Sequence, residues 1–530
     1  MSTARGRGTA AAPRPYRALG VAMCLVTLLA GCTVGPSQRP PVAVRGETVA
    51  APPAPAVPST PDPVPPLQPQ NSSIPFADCT GQAFSALGVA VPAGRDLRVE
   101  CGELPVPADP LRPERGAVLL AVVRVGEPGG LDRPPLLAVG DSVTGPTVRH
   151  ALVLGTQVSA AVLEKFTVVG IDRRGAGSDR LDCGRPDARA ALVDADPAAT
   201  SEAELTPLLE QARAVVQGCN ITPSIALGSY GSAAGAADVE RLRDRLGVAQ
   251  LSAVGVGDGA GLLAAWAAAA PGAVGRLVLD GPPDPAAPEP DRSTARAAAA
   301  EATFDAFAGS CTGSGACPLG ADPRAAVTAL LDALRARPLA APDGRRLTAG
   351  GAVTAVLNAL PEPRSWPALA AATAAAAAGD PVALLDLLEP SLGIDGTFDG
   401  RLATACNDNP ARLSPPEVAE LAEQLRADHP LLGGAIALEQ LACAPWPASV
   451  TPAAPVATAL PPVLVVGTVA DPRAPHDGAR RVADTLPTGV FVSWQGAGSG
   501  AYPRTPCVNA AVDTLLVGGA VPASGTLCPP

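Results

Sequence analysis

Aromatic residues make up only 3% of the 530-residue sequence, with four Trp, three Tyr and seven Phe. A chain this long buries a sizeable core, and here Ala, Val and Leu have to supply most of it; hydrophobic residues reach 47%. Charged residues are sparse at 17%, and with that apolar content they exclude a chain that is disordered throughout. Lysine is all but missing, Lys165 being the single one. The net charge is -11, and the first 31 residues hold four Arg and no acid, so the remainder carries -15. That balance disfavours nucleic acid as a partner. Histidine is limited to His150, His429 and His476, all distant in sequence from the cysteines, and there is no C-x-x-C pair, so no metal centre is expected. Beyond residue 31 no apolar run is long enough to span a bilayer. Glycine (55) and proline (61) are plentiful but follow no Gly-X-Y period, which excludes a collagen-like rod.

Arg5, Arg7, Arg14 and Arg17 precede an apolar run from Ala18 to Leu29, and Leu29-Ala30-Gly31-Cys32 closes it. This is the three-part form of a secretory signal, and the run is too short for a stop-transfer helix. The small residues before Cys32 resemble a bacterial lipobox, which implies cleavage after residue 31 and a lipid on the Cys32 thiol. Residues 33–75 then hold 13 prolines in 43 positions and few large apolar side chains. Such a segment packs no core. In extended polyproline geometry it reaches up to ~100 Å, so residues 32–75 read as the lipidated cysteine and a tether. The expected location is the outer face of the cell membrane, with the membrane touched through the lipid alone.

Cys24 lies in the signal and Cys32 at its end, leaving ten cysteines in the exported part. An exported chain can hold disulfides. Sequence proximity suggests Cys79 with Cys101, Cys183 with Cys219, Cys311 with Cys317, Cys406 with Cys443 and Cys507 with Cys528, although spacing alone does not fix connectivity.

Short apolar, β-branched runs occur at 117–125, 135–139, 166–171, 251–256, 276–279, 463–466 and 490–494. Their near-continuous apolarity suits strands covered on both faces of a mainly parallel sheet. Helical stretches lie between them, such as 233–246, which shares Val239, Leu242 and Leu246 on one face and stops at Gly247. Strands alternating with helices predict a doubly wound α/β fold. From about 285 to 455 the strand signal gives way to Ala-rich helices, read as an insertion between core segments at 76–284 and 456–530.

Two segments carry a resemblance: Phe166-Thr-Val-Val-Gly-Ile-Asp172-Arg-Arg174-Gly175-Ala-Gly177-Ser178, and Leu251-Ser-Ala-Val-Gly255-Val-Gly257-Asp258-Gly259 followed by Arg276-Leu-Val-Leu-Asp280-Gly281. With Cys101-Gly-Glu-Leu-Pro105-Val106-Pro107, Cys443-Ala-Pro-Trp446-Pro447 and the closing Cys507 and Cys528, the chain resembles the secreted tripeptidyl-aminopeptidase-like serine peptidases of actinobacteria. The resemblance implies an α/β-hydrolase fold with a helical lid, and it brings no cofactor.

In that family a G-x-S-x-G elbow presents the nucleophile. Gly255, Gly257 and Gly259 keep the spacing, but the centre is Gly257, and counting back from Pro271 and Asp280 gives the same position. The acid position is retained as Asp471. Serine, Ser499, stands where the family's histidine belongs, and serine takes up no proton near neutral pH. The oxyanion loop, Gly-Gly-Pro-Gly in the family, reads Gly140-Asp141-Ser142-Val143, with an acid where negative charge should be stabilised. Three of the four catalytic components therefore depart from the pattern. An alternative keeps a live hydrolase by taking Asp258 as the nucleophile, with His476 or His150 approaching the cleft as base; otherwise Asp258 is a helix-N-terminal acid. Asp172 and Arg174 read as braces of the sheet edge, and His429 as a surface or cap residue. The expectation is a non-catalytic, lipid-anchored protein that binds a peptide-like or other small ligand, or an envelope protein partner.

Overall fold

The seven short apolar runs all form strands, and they make up most of a ten-stranded sheet. The computed structural model describes residues 64–86, 88–221, 226–392, 397–447 and 459–530. The export signal, Cys32 and most of the tether lie outside the described residues. In chain order the strands are β1 (Ala77–Asp78), β2 (Arg98–Pro107), β3 (Ala117–Gly126), β4 (Pro135–Val139), β5 (Thr167–Ile171), β6 (Leu251–Val256) and β7 (Val274–Asp280). A small hairpin, β8 (Leu339–Ala340) and β9 (Arg346–Leu347), follows within the insertion, and β10 (Val463–Ala470), β11 (Gly489–Ala497) and β12 (Thr526–Cys528) complete the sheet. Its order is β1-β2-β3-β5-β4-β6-β7-β10-β11-β12.

The pairings from β5 through β12 are parallel, while β1, β2 and β3 are joined antiparallel at one side. Every residue of β4, β5, β6 and β7 is buried, as the continuous apolar runs require when helices cover both faces. β2 escapes the sequence reading because Pro105 and Pro107 interrupt it. Near the sheet edge these residues are tolerated, since β1 pairs only with Glu100 and Cys101, so no ladder donor is required of them on that side. The helix Ser232–Leu246 does end at Gly247, which takes the left-handed conformation (φ 70°) and donates its N–H back to the last turn.

Helices from Asp291–Gly313 to Gln440–Cys443 form the inserted lid between β7 and β10. Their own core gathers Phe304, Phe307 and Trp366, whose rings meet edge to face at 5.4 and 6.0 Å. The tether is shorter than the composition suggests. Gln68 accepts from Ala249 N at 2.8 Å, Gln70 donates to the Leu131 and Arg133 carbonyls, Asn71 N donates to Leu246 O, and Ile74 is buried, so residues 68–75 already belong to the core. All five neighbouring cysteine pairs are bonded, with Cα separations from 4.2 to 5.8 Å.

Candidate functional site

Three loops meet at the carboxyl edge of the parallel strands, where ligands of open α/β sheets bind. The first follows β6. Gly257 adopts φ 58° and ψ -127°, a conformation that L side chains rarely take, and it caps the helix Asp258–Ala269. The flanking glycines are sterically required. A Cβ at Gly255 would lie 2.7 Å from Ala260 Cα, and one at Gly259 would lie 2.6 Å from the Val139 and Gly140 carbonyls. The turn therefore has the geometry of a nucleophile elbow with position 257 at its apex, and that apex carries no side chain.

The space above the apex is taken. A Cβ at Gly257 would fall 2.9 Å from Asp141 Cγ and closer still to Asp141 Oδ2. Asp141 is 6% exposed, accepts from Val143 N at 2.9 Å, and has Arg473 Nη1 at 3.5 Å. Burial raises its pKa above the usual carboxylate range, against the pull of Arg473. Its neighbour Ser142 is turned toward Asp258: the Ser142 N–H donates to Asp258 Oδ1 at 2.8 Å and the hydroxyl to Oδ2 at 2.5 Å. Arg173 Nη1 completes the set at 2.7 Å from Oδ1. Asp258 thus stands at the first helical position with both oxygens engaged. The elbow is not shifted by one residue, and the geometry speaks against an attacking role for Asp258.

The acid loop follows β10 and the third loop follows β11. Asp471, 2% exposed, accepts from Arg473 N at 3.0 Å and Ala474 N at 3.2 Å. The Ser499 hydroxyl donates to Asp471 Oδ1 at 2.5 Å. The residue at the histidine position thus bonds the acid directly, with no imidazole between them. Burial pushes Asp471 up to about 6. Neighbouring contacts tie these loops to the elbow: Gly257 N donates to Asp280 O, a Cβ at Gly281 would lie 3.1 Å from Asp471 Oδ2, and one at Gly500 would lie 3.0 Å from Val256 Cγ1. The lid closes on the third loop. Ser499 N donates to Pro361 O at 2.8 Å, a Cβ at Gly498 would lie 2.7 Å from Pro363 Cδ, and Glu362 pairs with Arg504 through both oxygens.

Neither histidine is presented as a base. His476 bonds Ser493 on β11 through Nε2 at 2.8 Å and stands edge-on to Phe491. His150 packs beside Gly140, but its Nε2 is buried without a partner among the described residues, and burial lowers its pKa to about 4. His429 caps the helix Pro415–Asp428. Arg174 makes a two-pronged pair with buried Asp238 and also donates to Pro107 O and Ala108 O, which ties the end of β2 to the helix Ser232–Leu246, while buried Asp172, after the interior strand β5, accepts from Val148 N. The residues that sequence reasoning passed over are the arginines around Asp141. Arg473 was within reach, two positions after the retained acid. Arg296 and Arg401 come from lid helices whose placement no sequence periodicity fixes.

A mainly parallel sheet with an elbow after β6, an acid after β10 and a lid inserted between β7 and β10 defines an α/β-hydrolase fold. Residues 429–528 match the TAP-like protein family. The chain is similar to the serine protease Hip1 of Mycobacterium tuberculosis, at 28% identity over 81% of this chain and 87% of that protein. The carboxylesterase B of the same species is 28% identical over 81% and 86%. The tripeptidyl aminopeptidase of Streptomyces coelicolor is 27% identical over 82% and 83%. The chain is thus similar to TAP-like proteins over residues 429–528, and to these relatives over most of its length.

Proposed function

We propose that this protein is an exported, lipid-anchored TAP-like protein that has given up peptidase catalysis and uses the remaining cleft to bind a peptide-like ligand. The observation that carries the reading is the Asp141 carboxylate in the space a nucleophile's side chain would occupy at Gly257. A serine cannot be accommodated there without moving a buried acid, and the acid itself opposes the negative charge of a tetrahedral intermediate. The direct Ser499–Asp471 hydrogen bond supports the same reading, because it leaves no proton acceptor between acid and elbow. The five disulfides favour an extracytoplasmic destination. The similarity to a tripeptidyl aminopeptidase favours a peptide as the ligand class.

A fluorophosphonate probe tests the loss of chemistry. The purified protein is expected to remain unlabelled; stoichiometric labelling that maps to any serine of the cleft would overturn the reading. Metabolic labelling with a fatty acid tests the anchor: the wild type should incorporate it and Cys32→Ala should not.

A further inference from the structure

Four arginines stand around the loop that carries Asp141, and they are not equally satisfied. Arg173 is held by Asp258 at 2.7 Å, and Arg296 by both oxygens of Glu439. Arg473 has Asp141 at 3.5 Å as its one ion pair among the described residues, and its charge also acts on Asp471. Arg401 has no carboxylate within ion-pair reach among the described residues; its guanidinium lies 5.7 Å from the ring centroid of Phe398 and is acted on by Arg473 and Arg296 as well as by Glu439 and Asp141. Like charges gathered in a half-buried place are unfavourable unless an anion joins them.

The helix that carries Arg401, Thr397–Asp408, cannot easily swing away. Gly400 abuts the carbonyl of Gly175, Asp399 accepts from Cys183 N at 2.7 Å and pairs with Arg189, Thr404 donates to Tyr230 O, and Asn407 donates to Leu227 O. The backbone that carries Arg401 is therefore held in place. Arg401 and Arg473 are both partly exposed.

We propose that the cleft beside Gly257 is a carboxylate-binding site in which Arg401 and Arg473 hold the anion, and that it takes the C-terminal carboxylate of a short peptide. This rests on the non-catalytic, peptide-binding reading above. The planar guanidinium fork matches a carboxylate with two parallel hydrogen bonds. A monoanion is favoured over a phosphate dianion because Asp141, Asp258, Asp408 and Glu439 already place negative charge around the same arginines.

Isothermal titration of the full chain with trialanine, trialanine carboxamide and acetate tests the proposal, with Arg401→Gln and Arg473→Gln as variants and Arg401→Lys as a control that keeps the charge. Trialanine is expected to bind roughly tenfold or more tightly than its amide, and each Gln variant should remove that difference. Arg401→Lys should retain part of the preference. Equal binding of acid and amide, or Gln variants that keep the preference, would overturn the proposal. Acetate binding as tightly as trialanine would overturn the peptide assignment. Absence of binding by every probe would overturn the site yet leave the loss of catalysis standing, because fluorophosphonate labelling reads that separately.

Discussion

The carboxylate of Asp141 and the missing side chain of Gly257 occupy one and the same space. A Cβ at 257 would lie 2.9 Å from Asp141 Cγ, and the glycine sits at φ 58° and ψ -127° besides. Gly257→Ser is therefore expected to destabilise the protein, by ~1–3 kcal/mol for the backbone conformation and a further ~1–3 kcal/mol for the overlap. Asp141→Gly combined with Gly257→Ser should recover the overlap part. A double-mutant cycle measured by urea unfolding checks this, and additive effects of the two substitutions would show that the residues do not compete.

Two buried groups should give the protein opposing pH dependences. Burial raises Asp280 to about 7 and lowers His150 to about 4. Between pH ~4 and ~7 native Asp280 holds a proton that the unfolded chain has released, so its contribution to stability falls as pH rises. His150 works with the other sign. Below pH ~6.5 the unfolded imidazole takes up a proton that the native one refuses until about pH 4, so stability is lost as pH falls. Compared with wild type, Asp280→Asn should thus gain stability as pH rises from 4.5 to 7.5, and His150→Gln should gain as it falls. Urea unfolding at three pH values measures both; differences that stay flat would contradict the burial of these charges.

The disulfides should differ in worth according to the loops they close. Cys183 with Cys219 and Cys406 with Cys443 span 36 and 37 residues, while Cys311 with Cys317 spans 6. The chain-entropy relation gives about 4 kcal/mol for the long loops and about 2 kcal/mol for the short one. Replacing Cys183 and Cys219 by Ala should cost about twice what replacing Cys311 and Cys317 costs, and the partly exposed short bridge should be reduced first under a thiol titration.

The sheet was legible in the sequence because strands buried on both faces, such as β4 and β6, have to be almost continuously apolar. β2 was hidden by Pro105 and Pro107, residues that only an edge position makes tolerable. The elbow could be placed because its glycines keep a fixed spacing: Gly255 abuts Ala260, Gly257 takes a positive φ, and Gly259 abuts the Val139 and Gly140 carbonyls. What fills the site was not legible. The meeting of Asp141 with Gly257, and of Ser142 and Arg173 with Asp258, joins segments more than 80 residues apart through side-chain directions that no spacing encodes. Arg401 reaches the site from a lid helix fixed by Gly400 and Asn407, contacts set by tertiary packing alone.

Turnover of a chromogenic tripeptide amide by the full chain, beside Asp471→Asn and Asp258→Asn, tests the loss of catalysis most directly. With no hydroxyl at 257 and no imidazole at 499, the expected deficit against an intact triad is about 10⁶-fold. Wild type and both variants should be indistinguishable from the buffer blank. Turnover above the blank that Asp258→Asn abolishes would contradict this and make Asp258 the nucleophile.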